Sequence, residues 1–278
     1  MKLRSLARSL SWTTLLLALG LVTEAVAIVV APTAIYLDDA DPAAVIQLYN
    51  PSSRPEEVSV EALFGFPTTD EEGRLRLDLV EGDDPRSAAE WVRVLPRRLV
   101  VPPGERRAVR LLAQPPAGLA DGEYWTRLVF TSRGQEIPVG GADAEGVQVG
   151  LGLEVRTIIA LTYRKGAVST GLEVRGFDPH IQGDSLVVRP ELLRRENGAF
   201  IGLMELSLLD ADSIPVRQWN EQVAVYRTYH RRFAYDVHGL PRGEYRLVAR
   251  LGTEREDVDP KDRLVTPAVE LVAPVVLP

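Results

Sequence analysis

An all-β chain of two β-sandwiches in tandem is the fold class this sequence predicts, and three observations predict it. Short runs of alternating apolar and polar residues recur from Ile28 to the end, helical periodicity is nearly absent, and turn signals rich in Pro, Gly, Asp and Asn separate the runs. The 278 residues, 45% hydrophobic and 26% charged, carry enough apolar material for two domains of roughly 120 residues each.

The first residues read as an address rather than as structure. Lys2, Arg4 and Arg8 precede the apolar stretch LLLALGLV (15–22), and Ala25-Val26-Ala27 offers a small-x-small cleavage pattern, so residues 1–27 are expected to be a cleavable export signal. The rival reading is an uncleaved anchor. Glu24 disfavours it by ending the apolar run short of the ~18–20 residues a spanning helix needs. Cleavage removes three positive charges and one negative charge from a chain of formal charge −7, leaving the mature protein near −9. That acidic balance argues against a nucleic-acid surface. The absence of cysteine excludes disulfides, thiolate nucleophiles and cysteine-rich zinc sites.

The first domain, residues 28–163, is built from seven candidate strands: IVVAPTAIYL, AAVIQLYNPS, EEVSVEALFGF, WVRVLPRRLVV, RRAVRLLAQPP, GEYWTRLVF and VQVGLGLEV. Their spacing is that of an antiparallel sandwich. Between the third and fourth lies an insertion, 67–90, read as a short hairpin through Leu75, Leu77 and Leu79 with acidic tips. Its carboxylates lack the regular Asp/Asn spacing of a calcium loop, so a solvated loop is the better reading. LTYRKGA (161–167) is the expected hinge, because strand pattern stops at Tyr163 and charge plus glycine take over.

The second domain, residues 164–278, repeats the logic through TGLEVRGF, SLVVRPELLRR, GLMELSLLDAD, VAVYRT, RRFAYDV, GEYRLVARL and TPAVELVAP. Gly-Glu-Tyr occurs at 122–124 and again at 243–245, each time after a turn and at the start of a late strand. A tyrosine there is the tyrosine corner of an immunoglobulin-like sandwich, its phenol bonding back to the preceding chain. The two copies, 121 residues apart, point to two similar domains.

Chemistry is hard to find. His180, His230 and His238 stand at no metal-ligand spacing, and Asp210 with Asp212 or Asp257 with Asp259 sit in turns rather than as a general acid and base. Gly150-Leu151-Gly152 opens like a dinucleotide loop, but Val155 occupies the place of the third glycine and a strand continues where a helix should begin. The chain is therefore expected not to be an enzyme and to use neither cofactor nor metal. What remains is a surface. In VQVGLGLEV (147–155), Val147, Val149, Leu151, Leu153 and Val155 share one face. Alternation leaves open whether that face packs into its own sandwich or is covered by another chain.

VAPTAIYL, IQLYNPS with Asn50 at its end, LPRRLVVPPGERRAVRL, LADGEYWTRLVF and VQVGLGLEVRTIIALTYRKG together resemble, in order and spacing, the PapD-like periplasmic chaperones of chaperone-usher pilus assembly. The second domain matches only in the order and kind of its strands. The resemblance implies two immunoglobulin-like sandwiches set at an angle, a periplasmic location, a secreted β-rich, pilin-like subunit as client, and an outer-membrane usher as a further partner. It implies that Leu151, Leu153 and Val155, extended by Val147 and Val149, fill the groove of a subunit that lacks a strand. It also implies an Arg and a Lys that anchor the client's terminal carboxylate. Here those positions hold Ala34 and Ala160. Arg164 is the candidate replacement cation, with Arg156 and Lys165 nearby in sequence. A free apolar edge also admits a self-capping homodimer. The alternative function is a non-enzymatic structural or adhesive module of the envelope that binds through loops such as 67–90.

Overall fold

The computed structural model describes residues 27–80, 84–133, 137–139, 149–151 and 153–278. The export signal read in residues 1–27 falls, apart from Ala27, outside them, as does Val147. No helix among the described residues is long and apolar enough to cross a membrane.

The chain is all-β and forms two immunoglobulin-like sandwiches. Twelve strands come first: β1 (Val29–Ala31), β2 (Ala34–Asp38), β3 (Ala43–Tyr49), β4 (Glu56–Thr69), β5 (Leu75–Val80), β6 (Val92–Leu95), β7 (Arg98–Val101), β8 (Arg106–Ala113), β9 (Gly122–Arg133), β10 (Ile137–Val139), β11 (Val149–Leu151) and β12 (Glu154–Lys165). One sheet runs β1-β3-β8-β6, and the other β2-β12-β9-β4-β5 with β7 on the side of β4. Their inner faces meet in a core of Ile46, Leu48, Val109 and Leu111 from one sheet and Val58, Val60, Leu128, Phe130, Ile159, Leu161 and Tyr163 from the other. The alternation seen in the sequence is the cause: the buried residues of β3, β8 and the first half of β4, Ile46 and Leu48, Val109, Leu111 and Ala113, and Val58 and Val60, fall at every second position. β9 departs from the rule, since eleven of its twelve residues are buried. A strand buried on both faces has something packed on its outer side.

That something is the second sandwich, made of β13 (Gly171–Phe177), β14 (His180–Gln182), β15 (Ser185–Val188), β16 (Pro190–Arg195), β17 (Phe200–Leu209), β18 (Pro215–Val225), β19 (Thr228–Tyr229), β20 (Phe233–Asp236), β21 (Gly243–Gly252) and β22 (Val269–Leu277). Three sheets, β13-β16-β19, β14-β15-β20 and β18-β17-β21-β22, enclose a core that includes Leu186, Leu192, Phe233, Met204, Leu206, Leu247 and Leu251. Between the sandwiches lies a smaller cluster of Phe64, Trp125, Ala199 and Tyr226. Trp125 and Tyr226 meet edge to face with centroids 5.1 Å apart.

Both tyrosine corners are formed. The Tyr124 hydroxyl donates to the Ala120 carbonyl at 2.8 Å, and the Tyr245 hydroxyl donates to the Pro241 carbonyl at 2.8 Å. Three details differ from the sequence reading. β12 continues two residues past Tyr163 to Lys165, and the chain turns at Gly166, which has φ 57°. The insertion hairpin starts earlier, because β4 itself extends to Thr69 and pairs with β5. Its tip is not a free loop: the His230 amide donates to Thr69 Oγ1 at 3.1 Å and the Arg232 amide to the Gly73 carbonyl at 2.8 Å, so it docks on the second sandwich.

Replacing either corner tyrosine tests the corners separately. Tyr124→Phe and Tyr245→Phe each remove one buried bond while keeping the ring, and each should cost about 1 kcal/mol in chemical denaturation with an unchanged slope.

Candidate functional site

β12 is the strand on which the candidate residues converge, and its two edges differ. One edge is fully paired: Glu154 to Lys165 run antiparallel to Arg133 to Gly122 of β9. The other edge is paired only from Ala160 to Arg164, where β2 lies parallel to it. From Glu154 to Ile159 that outer edge has no strand partner among the described residues. Farther out, β11 pairs only with β10, Val149 opposite Val139 and Leu151 opposite Ile137.

The side chains along β12 alternate as the sequence requires. Ile159, Leu161 and Tyr163 enter the core, and Leu153 and Val155 belong by parity to the same side. They lie beyond the part of the sandwich that covers it: Leu153 is 54% exposed and Val155 half-buried. On the opposite face Ile158 is 37% exposed. The strand therefore leaves its own core as it leaves β2, and its apolar row becomes available where its backbone edge does.

Arg164 stands at the other end of β12 and is already engaged. Its Nε donates to Glu123 Oε1 at 2.9 Å, and its guanidinium lies 4.8 Å from the Tyr36 ring centroid. Glu123 is 1% exposed, and its other oxygen accepts from the Ala199 amide at 2.7 Å and from Trp125 Nε1 at 3.2 Å. The Glu123 amide donates to the Asn197 carbonyl at 3.1 Å. One carboxylate thus bonds the hinge strand, its own strand and the second sandwich, and desolvation makes such a charge costly unless every lone pair is used. Burial, the largest cause, pushes the Tyr36 phenol beneath Arg164 up to about 12. Lys165 leaves the strand on the other side and bonds Asp39 at 2.5 Å. Arg156 is exposed on the outer face.

Alanines 34 and 160 are neighbours in the register between β2 and β12, and Arg127 of β9 is the next residue in the same row. Arg127 is 5% exposed, lies 5.2 Å from the Tyr226 ring centroid, and has no hydrogen-bond partner for Nε or Nη2 among the described residues. The sequence reading passed over both Glu123 and Arg127. The available signal was a pair of charges in an otherwise apolar strand, GEYWTRLVF, which fits a strand buried on both faces. The three histidines do not converge, and no group of three His, Asp or Glu that could hold a metal occurs among the described residues.

No family model matches the chain, and no curated protein matches it. Among solved structures, the chain is similar to that of the Salmonella enterica SafA pilin in complex with the SafB chaperone (13% identity, 90% of this chain and 98% of that one, TM-score 0.43). It is also similar to the CsuC–CsuE chaperone and tip-adhesion-subunit pre-assembly complex of the archaic chaperone-usher Csu pili of Acinetobacter baumannii (11%, 90% and 98%, 0.42). A third is the Escherichia coli chaperone DraB (15%, 80% and 88%, 0.38).

Two substitutions probe the hinge. Glu123→Ala leaves Arg164 with a lost partner in a largely buried place and should cost about 3 kcal/mol, measured by denaturant unfolding. Asp39 is held below the usual carboxylate range, first by its bond from Lys165 and then by that from Tyr163. A lowered folded-state value stabilises above the ordinary carboxylate pKa near 4 and is lost as pH falls through the folded value. The melting temperature of Asp39→Asn should therefore fall less steeply than wild type below about pH 4.

Proposed function

We propose that this protein is a periplasmic, non-enzymatic chaperone that holds a secreted β-rich, pilin-like subunit by strand addition along β11 and β12. The observation that supports the reading best is the unpaired backbone edge of β12, from Glu154 to Ile159, directly preceded by an uncovered apolar side chain at Leu153. An edge strand is an open template for pairing, and soluble proteins normally blunt theirs with charge or cover. A subunit that lacks one strand has the complementary defect, an apolar cleft lined by unpaired backbone groups. Adding this edge would satisfy both at once. Each buried Leu or Val side chain is worth roughly 1.5–3 kcal/mol before ordering costs. Three such residues therefore make a handle strong enough to hold a subunit until its own partner strand arrives.

In this reading the client-binding residues are Val147, Val149, Leu151, Leu153 and Val155. An outer-membrane usher is the partner that receives the loaded complex, and pairing of two free edges in a homodimer protects the edge when no client is bound. The first domain runs from 28 and the second to 278, meeting at the turn of Gly166, two residues past the 163/164 boundary read from the sequence, with the export signal at 1–27. The docked β4–β5 hairpin speaks against the alternative of an adhesive module binding through 67–90, because the second sandwich already takes up its tip.

Leu153→Glu with Val155→Glu is the deciding variant. Purified from its native periplasm beside wild type, it should lose a co-purifying small β-rich protein, identified by mass spectrometry, while melting within a few degrees of wild type. A melt lowered by tens of degrees would place the face in the protein's own core and remove the handle.

A further inference from the structure

The outer face of the β1-β3-β8-β6 sheet carries charge opposite in sign to the protein as a whole. Residues 93–110 hold six arginines, Arg93, Arg97, Arg98, Arg106, Arg107 and Arg110, against the one carboxylate of Glu105, in a chain of formal charge −7. All six are exposed, and among the described residues only Arg107 has a carboxylate partner, Glu105 at 2.6 Å. Arg93 donates from Nε to Gln114 at 3.2 Å, and the Arg106 guanidinium lies 5.2 Å from the Tyr49 ring centroid. Both are thus placed by neutral groups that leave their charge uncancelled. No outward-facing residue of the four strands is acidic; Asp41 and Glu90 stand just before β3 and β6, at the margin of the face.

Register sets how the charges are spread. One row across the face reads Val45 on β3, Arg110 on β8 and Leu95 on β6, and the next reads Ala43, Leu112 and Arg93. Arginines and aliphatic side chains are therefore neighbours throughout rather than separate patches, and Leu95 is 62% and Val45 49% exposed. β3 and β8 have partners on both edges, so the middle of the face offers side chains but no free backbone to which a peptide strand could be added. A flat array of this kind matches a partner that is flat, anionic on its surface and apolar beneath it. Phosphate oxygens accept from guanidinium forks, and short aliphatic side chains reach the boundary between headgroups and acyl chains. The acidic remainder of the protein does not cancel the field, because stacked sheets lie about 10 Å apart and the Debye length at physiological salt is about 8 Å.

We infer that this face docks the protein on an anionic phospholipid surface, with Arg93, Arg106 and Arg110 at the phosphates and Val45 and Leu95 among the headgroups. The second sandwich packs on the outer side of β9, which belongs to the opposite sheet, as does the open edge of β12. Lipid docking and strand addition thus use different sheets of the first sandwich, and neither needs the other.

The test is co-sedimentation with vesicles of phosphatidylcholine, either alone or with about one-third phosphatidylglycerol. The chain from Ile28 to Pro278, which contains both sandwiches, is used, because Lys2, Arg4, Arg8 and the apolar stretch after them would bind vesicles on their own. It is expected to bind the anionic vesicles about tenfold or more tighter than the neutral ones, and to be released near 1 M salt, where the Debye length falls to about 3 Å. Arg93→Ser, Arg106→Ser and Arg110→Ser combined should weaken binding by about a hundredfold, as the loss of three surface charges allows. Leu95→Ser should weaken it several-fold without changing its salt dependence. Equal binding to both kinds of vesicle, or binding to neither, overturns the inference. Binding that survives the triple substitution places the lipid contact elsewhere and overturns it too. Polyglutamate bound where vesicles are not would assign the face to an acidic polypeptide instead. Should the triple variant fail to fold, Arg110→Glu and Leu95→Glu, each at an exposed position, read the same face and should each weaken binding about tenfold.

Discussion

The twelve-residue antiparallel ladder between β9 and β12 is the constraint on which the rest of the molecule depends. It supplies Leu128, Phe130, Ile159, Leu161 and Tyr163 to the first core, and at its Gly122–Lys165 end it supplies both partners of the Glu123–Arg164 pair. At its other end the outer edge of β12 has no strand partner among the described residues. Because the ladder is one continuous piece of sheet, the position of the second sandwich, fixed by Glu123 through Asn197 and Ala199, and the position of the open edge are set by the same hydrogen bonds.

Two further devices hold the sandwiches together. Aromatic rings at the junction are capped by guanidinium groups: Arg194 over Trp125 at 5.7 Å and Arg227 over Phe66 at 5.1 Å. The hairpin of β4 and β5 reaches across to His230 and Arg232. A junction so heavily bonded leaves β12 an edge presented at a defined place rather than at the end of a moving arm. That is what strand addition in a single register needs, because register is fixed by geometry as well as by side-chain pattern.

Much of this was legible in the sequence, and the remainder was hidden for physical reasons. The strands of the first core announced themselves through alternation, and the two Gly-Glu-Tyr motifs through their place after a turn. The first half of β18 did not, because Arg217 and Glu221 share the side of the strand that carries Trp219, Val223 and Val225, which erases the alternation. Glu221 is kept there by the Tyr235 hydroxyl, which donates to it at 3.3 Å. The three-residue β14 lacks the length to make a pattern. Glu123 and Arg127 were hidden differently: their burial comes from the second sandwich, and nothing local distinguishes a charge buried between domains from one in water. The apolar row of 147–155 was legible as a row. Which parts of it the sandwich leaves uncovered depends on where β2 begins, at Ala34, and that is a fact of pairing rather than of composition.

The most direct test is amide hydrogen exchange on the protein in complex with any small β-rich protein that co-purifies with it, compared with the protein alone. If the edge of β12 receives a strand, amides between Glu154 and Ile159 that face outward should exchange far more slowly in the complex, while those of Ala160 to Arg164, already enclosed between β2 and β9, should change little. Slowed exchange confined to loops or to the second sandwich, with the β12 edge unaltered, would contradict strand addition.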